Sequence, residues 1–151
     1  MGTENATAAD ESLDVITDAL LTASRLLIAI SAHSIAQVDE TITIAQFRTL
    51  VILSNRGPIN LATLASLLGV QPSATGRMVD RLPHPTSRRE LLAALTKRGR
   101  EVVRRVTAHR RTEIASIVEK MPPSERHGLV RALTAFTIAG GEPDVNLDVD
   151  M

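Results

Sequence analysis

Between Asn60 and Leu82 two short apolar-periodic runs meet at a single glycine, and no continuous helix or strand passes through that point. Asn60 caps the first run, LATLASLL, which stops at Gly69. Gln71-Pro72 opens the second, PSATGRMVDRL, with proline at a permitted first-turn position, and the run must end before Pro83. Two short helices joined by a tight glycine-containing turn form a helix-turn-helix, and the flanking segments must then supply the core around it. On the second helix Ser73, Thr75, Gly76, Arg77 and Arg81 take the polar positions, with Gln71 in the turn before them. Met78, Val79 and Leu82 are expected to face inward. Short hydroxyls reach phosphates and base edges, Ala74 and Gly76 allow close approach to a groove floor, and arginine forks onto guanine. A plain helical hairpin with a solvated polar face would use the same punctuation.

Charge distribution favours the nucleic-acid reading. The 151-residue chain has no net charge, yet residues 71–111 hold eleven basic and three acidic side chains, leaving six and fourteen to the rest. Clustered arginine is the electrostatic footprint of phosphate binding. A salt-bridged, solvated helix face is the bland alternative. Aromatics make up 1% of the chain against 44% hydrophobic residues, so the core must be Leu, Ile, Val and Ala, which suits helices better than a β-sandwich. The chain has no Cys, which excludes a disulfide framework, thiolate zinc sites and thiol redox sensing. The first residues, MGTENATAADES, are polar and acidic, unlike a secretory signal. Ser31, His33 and Ser34 interrupt the most apolar stretch, 26–36, so no membrane span and no membrane partner is expected, and a cytoplasmic protein follows.

Along the chain, residues 1–10 lack periodicity and are expected to be disordered. From Glu11 to Val38 the spacing predicts a long helix. Leu13, Ile16, Leu20, Leu27 and Ile30 form one apolar face, and Leu21, Ile28 and Ile35 widen it beyond the need of one small domain. That surplus points to burial against a second subunit. Thr43 with Gln46 is a capping box opening a helix that carries Phe47, Leu50, Val51 and Leu53 and ends at Gly57-Pro58. After Pro83, His84 and Pro85, the residues Thr86-Ser87-Arg88-Arg89 read as an exposed turn with two cations at its tip. ELLAALT reads as a short strand or apolar connector. A long helix resumes over 97–121, with Arg98, Arg100, Arg104 and Arg105 crowding its first half, and Pro122-Pro123 breaks it. Ser124 caps a last helix carrying Leu129, Val130, Leu133, Phe136 and Ile138 and ending at Gly140-Gly141. An acidic tail follows.

Catalysis finds no support. His33, His84, His109 and His127 show no metal-ligand spacing, and no nucleophile–base, metalloprotease, phosphate-loop or dinucleotide motif is present. The chain is therefore not expected to be an enzyme, and no catalytic residue, metal or cofactor is expected.

The stretches LATLASLLGVQPSATGRMVDRL and HPTSRRELLAALTKRGREVV, the latter with its LTxxG at Leu95–Gly99, resemble the MarR family of multiple antibiotic resistance regulators. The resemblance runs from about Glu11 to Gly140. It implies a fold that is mainly α with a small β-wing: a winged helix-turn-helix over 43–96, dimerisation helices over 11–42 and 97–140, and a flexible acidic tail over 141–151. It also implies a homodimer binding a pseudo-palindromic double-stranded operator as a repressor, released by a small ligand. By position Arg89 matches the family's wing-tip arginine, with Arg88 and His84 beside it, and these join Gln71, Ser73, Thr75, Gly76, Arg77 and Arg81 as the expected DNA contacts. The ligand pocket would lie between the dimer helices and the DNA-binding region and favour an apolar or aromatic molecule. Arg25 and His33 are its candidate polar groups, or simple interface residues. Two departures stand out. Ser87 replaces the usual acidic residue two places before the wing-tip arginine. Between Leu82 and Pro83 a first wing strand of about ten residues is missing. The expectation is a distorted or absent two-stranded wing and weakened DNA binding. The alternative function is then a dimeric helical ligand- or protein-binding module that has lost operator binding through wing truncation.

Overall fold

The computed structural model describes residues 3–81, 86–89 and 92–142. The first helix, α1 (Thr3–Val38), starts well before the expected Glu11, so the residues expected to be disordered from Thr3 onward are helical. Ala6, Ala8 and Ala9, all strong helix formers, lie in that first part. The reading of α1 as too interrupted for a membrane span is also corrected. Ser12–Ala36 is long and apolar enough to cross a membrane by length and composition, with a mean hydropathy of 1.6. Serine and histidine hydroxyls and rings dilute the run without adding the formal charges that would break it.

Helix α2 (Ile44–Arg56) opens with the full capping box. The Thr43 hydroxyl accepts from the Gln46 N–H at 3.1 Å, and the Gln46 side chain accepts from the Thr43 N–H at 2.9 Å. After β1 (Ile59–Asn60), the Asn60 side chain accepts from the Thr63 N–H at 2.7 Å and starts α3 (Leu61–Leu68). Gly69 stops that helix at φ 69°, a left-handed conformation that an L side chain adopts only with strain. Helix α4 (Pro72–Arg81) completes the helix-turn-helix.

The wing is where structure and expectation part. Residues 86–89, read as a turn, form strand β2 (Thr86–Arg89), which pairs antiparallel with β3 (Leu92–Leu95) in the register Thr86↔Leu95 through Arg89↔Leu92. Glu90 and Leu91, between the two strands in sequence, lie outside the described residues. Strand β1 pairs on the other edge of β3, giving a three-stranded sheet in the order β1-β3-β2. The segment thought to lack a partner supplies its own, because a two-residue connection suffices for an antiparallel hairpin. The absent wing is therefore overturned, and with it the premise of the truncated alternative. Leu82, Pro83, His84 and Pro85 lie outside the described residues.

Thr96 caps α5 (Lys97–Lys120), its hydroxyl accepting from the Gly99 N–H at 3.1 Å. Leu95, just before that cap, packs against both core clusters, and Gly99 is buried. The LTxxG pattern thus joins wing, cap and core at one point. The single last helix expected from Ser124 is instead two, α6 (Pro123–Arg126) and α7 (Leu129–Ala139). Gly128, at φ 78°, separates them, and the N-cap position of α6 is Pro122 rather than Ser124.

Two apolar clusters set these elements. Ile35, Ile42, Phe47, Leu50, Val102, Val103 and Val106 join α1, α2 and α5. Ile52, Leu53, Leu64 and Val79 join α2, α3 and α4. Helix α2 contributes to both, so the two clusters share one rigid element. Buried Thr49 strengthens the link: its hydroxyl donates to the Ala45 carbonyl at 3.0 Å and lies 3.2 Å from the Met78 sulfur of α4.

Candidate nucleic-acid interface and ligand cavity

Helix α4 sorts its residues by face. Val79 and Thr75 turn inward, and Thr75 is fully buried, its hydroxyl donating to the Gln71 carbonyl one turn back at 3.3 Å. Gly76 is buried as well. These two expected DNA contacts are therefore corrected on burial alone: neither Thr75 nor Gly76 reaches the surface of the described chain. Periodicity misled because a threonine that bonds its own helix backbone counts as apolar at that position. Arg77 and Gln71 are exposed. Ser73 lies in the first turn of α4, Arg81 ends it, and Arg88 and Arg89 lie in β2 opposite Ala93 and Leu92. His84 lies outside the described residues. Arg77 and the hairpin arginines thus sit on adjacent elements of one winged unit.

Part of the basic run is already engaged inside the chain. Arg98 pairs with Asp39 at 3.6 Å, Arg104 pairs with Glu101, and Arg100 donates to the Leu95 carbonyl at 3.3 Å. Asp39 organises the turn between α1 and α2 by accepting from the Thr41 hydroxyl at 2.6 Å and the Thr41 N–H at 3.0 Å. The Thr41 hydroxyl is the main cause holding the Asp39 carboxyl below its ordinary range. The Thr41 N–H and the Arg98 charge add to it, and partial burial opposes them. A depressed carboxylate pKa stabilises the fold above the unfolded-state value of about 4 and loses that contribution as pH falls through the folded value. Asp39→Asn is therefore expected to cost about 1 kcal/mol at pH 7 and less at pH 3, where the carboxylate contribution is being lost, as read from urea unfolding at both pH values. An equal cost at both would assign the effect to shape rather than charge.

A cavity of about 320 Å³ lies where α1, α2 and α5 meet, lined by Ser31, Ile44, Phe47, Arg48, Val51, Ile52, Thr107, Arg110 and Glu142. Its walls are mainly apolar. The half-buried Arg110 guanidinium lies 5.9 Å from the centre of the Phe47 ring, within cation–π range. Its Nε is buried with no hydrogen-bond partner, and burial alone pulls its pKa below the usual arginine value. Arg48 meets Glu142 in a bidentate pair at 3.0 and 2.9 Å. Neither expected ligand group lines this cavity. Arg25 is exposed on α1, and His33 sits on the surface 3.5 Å from Glu113. The signal for Arg110 was present in the sequence, as an arginine in step with the apolar stripe Val103, Val106 and Ile114 of α5. Glu142 carried no such signal, because its partner is 94 residues away. Among the described residues, no three His, Asp or Glu side chains gather as a metal site requires.

A sequence model of the MarR family matches residues 42–90, the span from α2 through β2. A comparison with curated proteins finds no match. Among solved structures, Rv1404 from Mycobacterium tuberculosis is 84% identical over 88% of this chain and 97% of its own, with a TM-score of 0.75. Sco5413, a MarR family transcriptional regulator from Streptomyces coelicolor, is 24% identical over 89% of this chain and 98% of its own, at a TM-score of 0.64. The MarR family protein Rv2887 of Mycobacterium tuberculosis, in a complex with DNA, is 23% identical over 80% of this chain and 95% of its own, at 0.68. The last two likenesses establish the shared fold. With a relative as similar as Rv1404 along nearly its whole length, and the family's own pattern over the helix-turn-helix and wing, the chain belongs to the MarR family.

Proposed function

We propose that the chain is a homodimeric transcriptional repressor that binds a pseudo-palindromic operator and is released by a small ligand. The observation that carries this reading is the exposed Arg77 on α4 beside a paired β2–β3 hairpin bearing Arg88 and Arg89. An arginine on the second helix of a helix-turn-helix addresses the major groove, and a basic hairpin beside it addresses the flanking minor groove. Gln71, Ser73 and Arg81 complete the proposed DNA face, and His84, outside the described residues, joins them from its place in the sequence between α4 and β2. The DNA complex of Rv2887 supports the same use of the fold. A protein that works on operator DNA works in the cytoplasm, and nothing in this role asks for a catalytic centre.

The second subunit covers what a single chain leaves bare. Leu13, Val15, Ile16 and Leu21 of α1 and Val130, Phe136 and Ile138 of α7 are all more than half exposed. The chain exposes 10852 Å², against about 7500 Å² for a compact monomer of this mass. Residues 11–42 and 97–140 are thus the dimer-forming parts and 43–96 the DNA-binding part. The apolar cavity between them suits a compact apolar or aromatic ligand, with Arg110 offering a charge to an anionic group. Rv2887 has been solved with salicylic acid and with p-aminosalicylic acid, both of that chemistry. Ligation there would alter the spacing of the two recognition helices, because α2 belongs to both halves.

The test is a salt titration of binding to the chain's own upstream DNA against a scrambled fragment. Selective binding that weakens about tenfold or more between 50 and 200 mM salt is expected. Equal affinity for both fragments would remove the operator reading.

A further inference from the structure

Glu142 follows the end of α7 and gives both carboxylate oxygens to Arg48 of α2. No residue of α7 is buried, and this ion pair ties the segment that follows it to α2. The pair stands in the wall of the ligand cavity, which also holds Arg110 with its unpartnered Nε. The cavity therefore carries two guanidinium groups and one carboxylate around an apolar floor of Phe47, Val51 and Ile52.

We propose that Glu142 is a tethered occupant of the cavity's anion-binding end, and that a small carboxylate on an apolar body must displace it from Arg48 to bind. The proposal rests on the reading of this cavity as the effector site. One guanidinium fork accepts one carboxylate in bidentate geometry, so a second carboxylate at Arg48 either expels Glu142 or meets it as a like charge. Arg110 alone offers the incoming anion a foothold. A carboxylate carried on the chain competes at the effective concentration its tether sets, and so raises the ligand level needed for release. Displacement also frees the end of α7 from α2, coupling ligation to the position of the C-terminal segment.

Salicylate is the probe, titrated by calorimetry against the full chain and its Glu142→Gln variant with no DNA present. The variant is expected to bind about two- to fivefold tighter, the range for a half-exposed ion pair. Raising salt to about 0.5 M should narrow that gap. Backbone exchange gives a second reading, because the Gly140, Gly141 and Glu142 amides donate to Phe136, Ile138 and Thr137 carbonyls. Saturating salicylate should speed their exchange in the parent chain, and the variant should exchange fast without it. Equal affinities, weaker binding by the variant, or no binding to either protein would each overturn the proposal. Because the assay contains no DNA, its failure leaves the operator reading standing, and a chain that ignores its operator could still give the expected result.

Discussion

Replacing Leu50 by Ala will lower the unfolding free energy by about 2–5 kcal/mol. Leu50 is completely buried and packs in the cluster that joins α1, α2 and α5 through Ile35, Phe47, Val102 and Val106. Removing most of its side chain forfeits transfer free energy and leaves a void that three helices cannot close without shifting. Against a total stability of about 5–15 kcal/mol this is a large fraction. The midpoint of thermal unfolding should fall by about 5–20 °C. Urea unfolding at fixed protein concentration checks it, since a dimer's stability depends on concentration. A loss under about 1 kcal/mol would mean that the junction of the two halves is not packed as described. Val130→Ala supplies the contrast. Val130 is 80% exposed in the single chain, so this change should alter dimer dissociation far more than subunit packing.

Arg77→Ala should weaken operator binding by about 10- to 100-fold while moving stability by less than about 0.5 kcal/mol. Arg77 is exposed and sits on the same helix as buried Thr75 and Val79, so its loss leaves the packing of α4 intact. The salt slope separates two roles. If Arg77 reads a base, selectivity over the scrambled fragment collapses with little change in slope. If it meets a phosphate, affinity drops on both fragments and the slope falls by about one. Unchanged operator affinity would take the recognition role away from α4. Double replacement of Arg88 and Arg89 would then test whether the hairpin alone holds DNA.

Local rules were enough for most of the helical frame. Thr43 with Gln46, Asn60 with Gly69, and Gln71-Pro72 marked helix ends that the structure reproduces, because capping and glycine stops act within one turn of chain. The apolar width of α1 was likewise legible, since surplus hydrophobic face is written in composition and period, and the single chain leaves Leu13, Ile16 and Leu21 of it exposed. The wing was misread for an equally physical reason. Strand pairing is set between segments, and a short apolar run such as LAAL has no period that distinguishes strand from connector until TSRR is found beside it. Thr75 and Gly76 carried the same ambiguity, because small or self-bonded side chains suit a groove floor and a helix contact alike. The cavity was the least legible part. Phe47, Arg48, Arg110 and Glu142 come from separated stretches, and only the folding of α2 against α5 brings them to one wall. By itself, then, the sequence determined the helix boundaries from Thr43 to Pro72, the helix-turn-helix, the basic middle and the surplus apolar face of α1, all properties of nearest neighbours and one-face periodicity. Tertiary structure alone decided the strand partner of the wing, the pairing of Arg48 with Glu142 and of Arg98 with Asp39, and the walls of the cavity, because each depends on contacts between residues far apart in the chain.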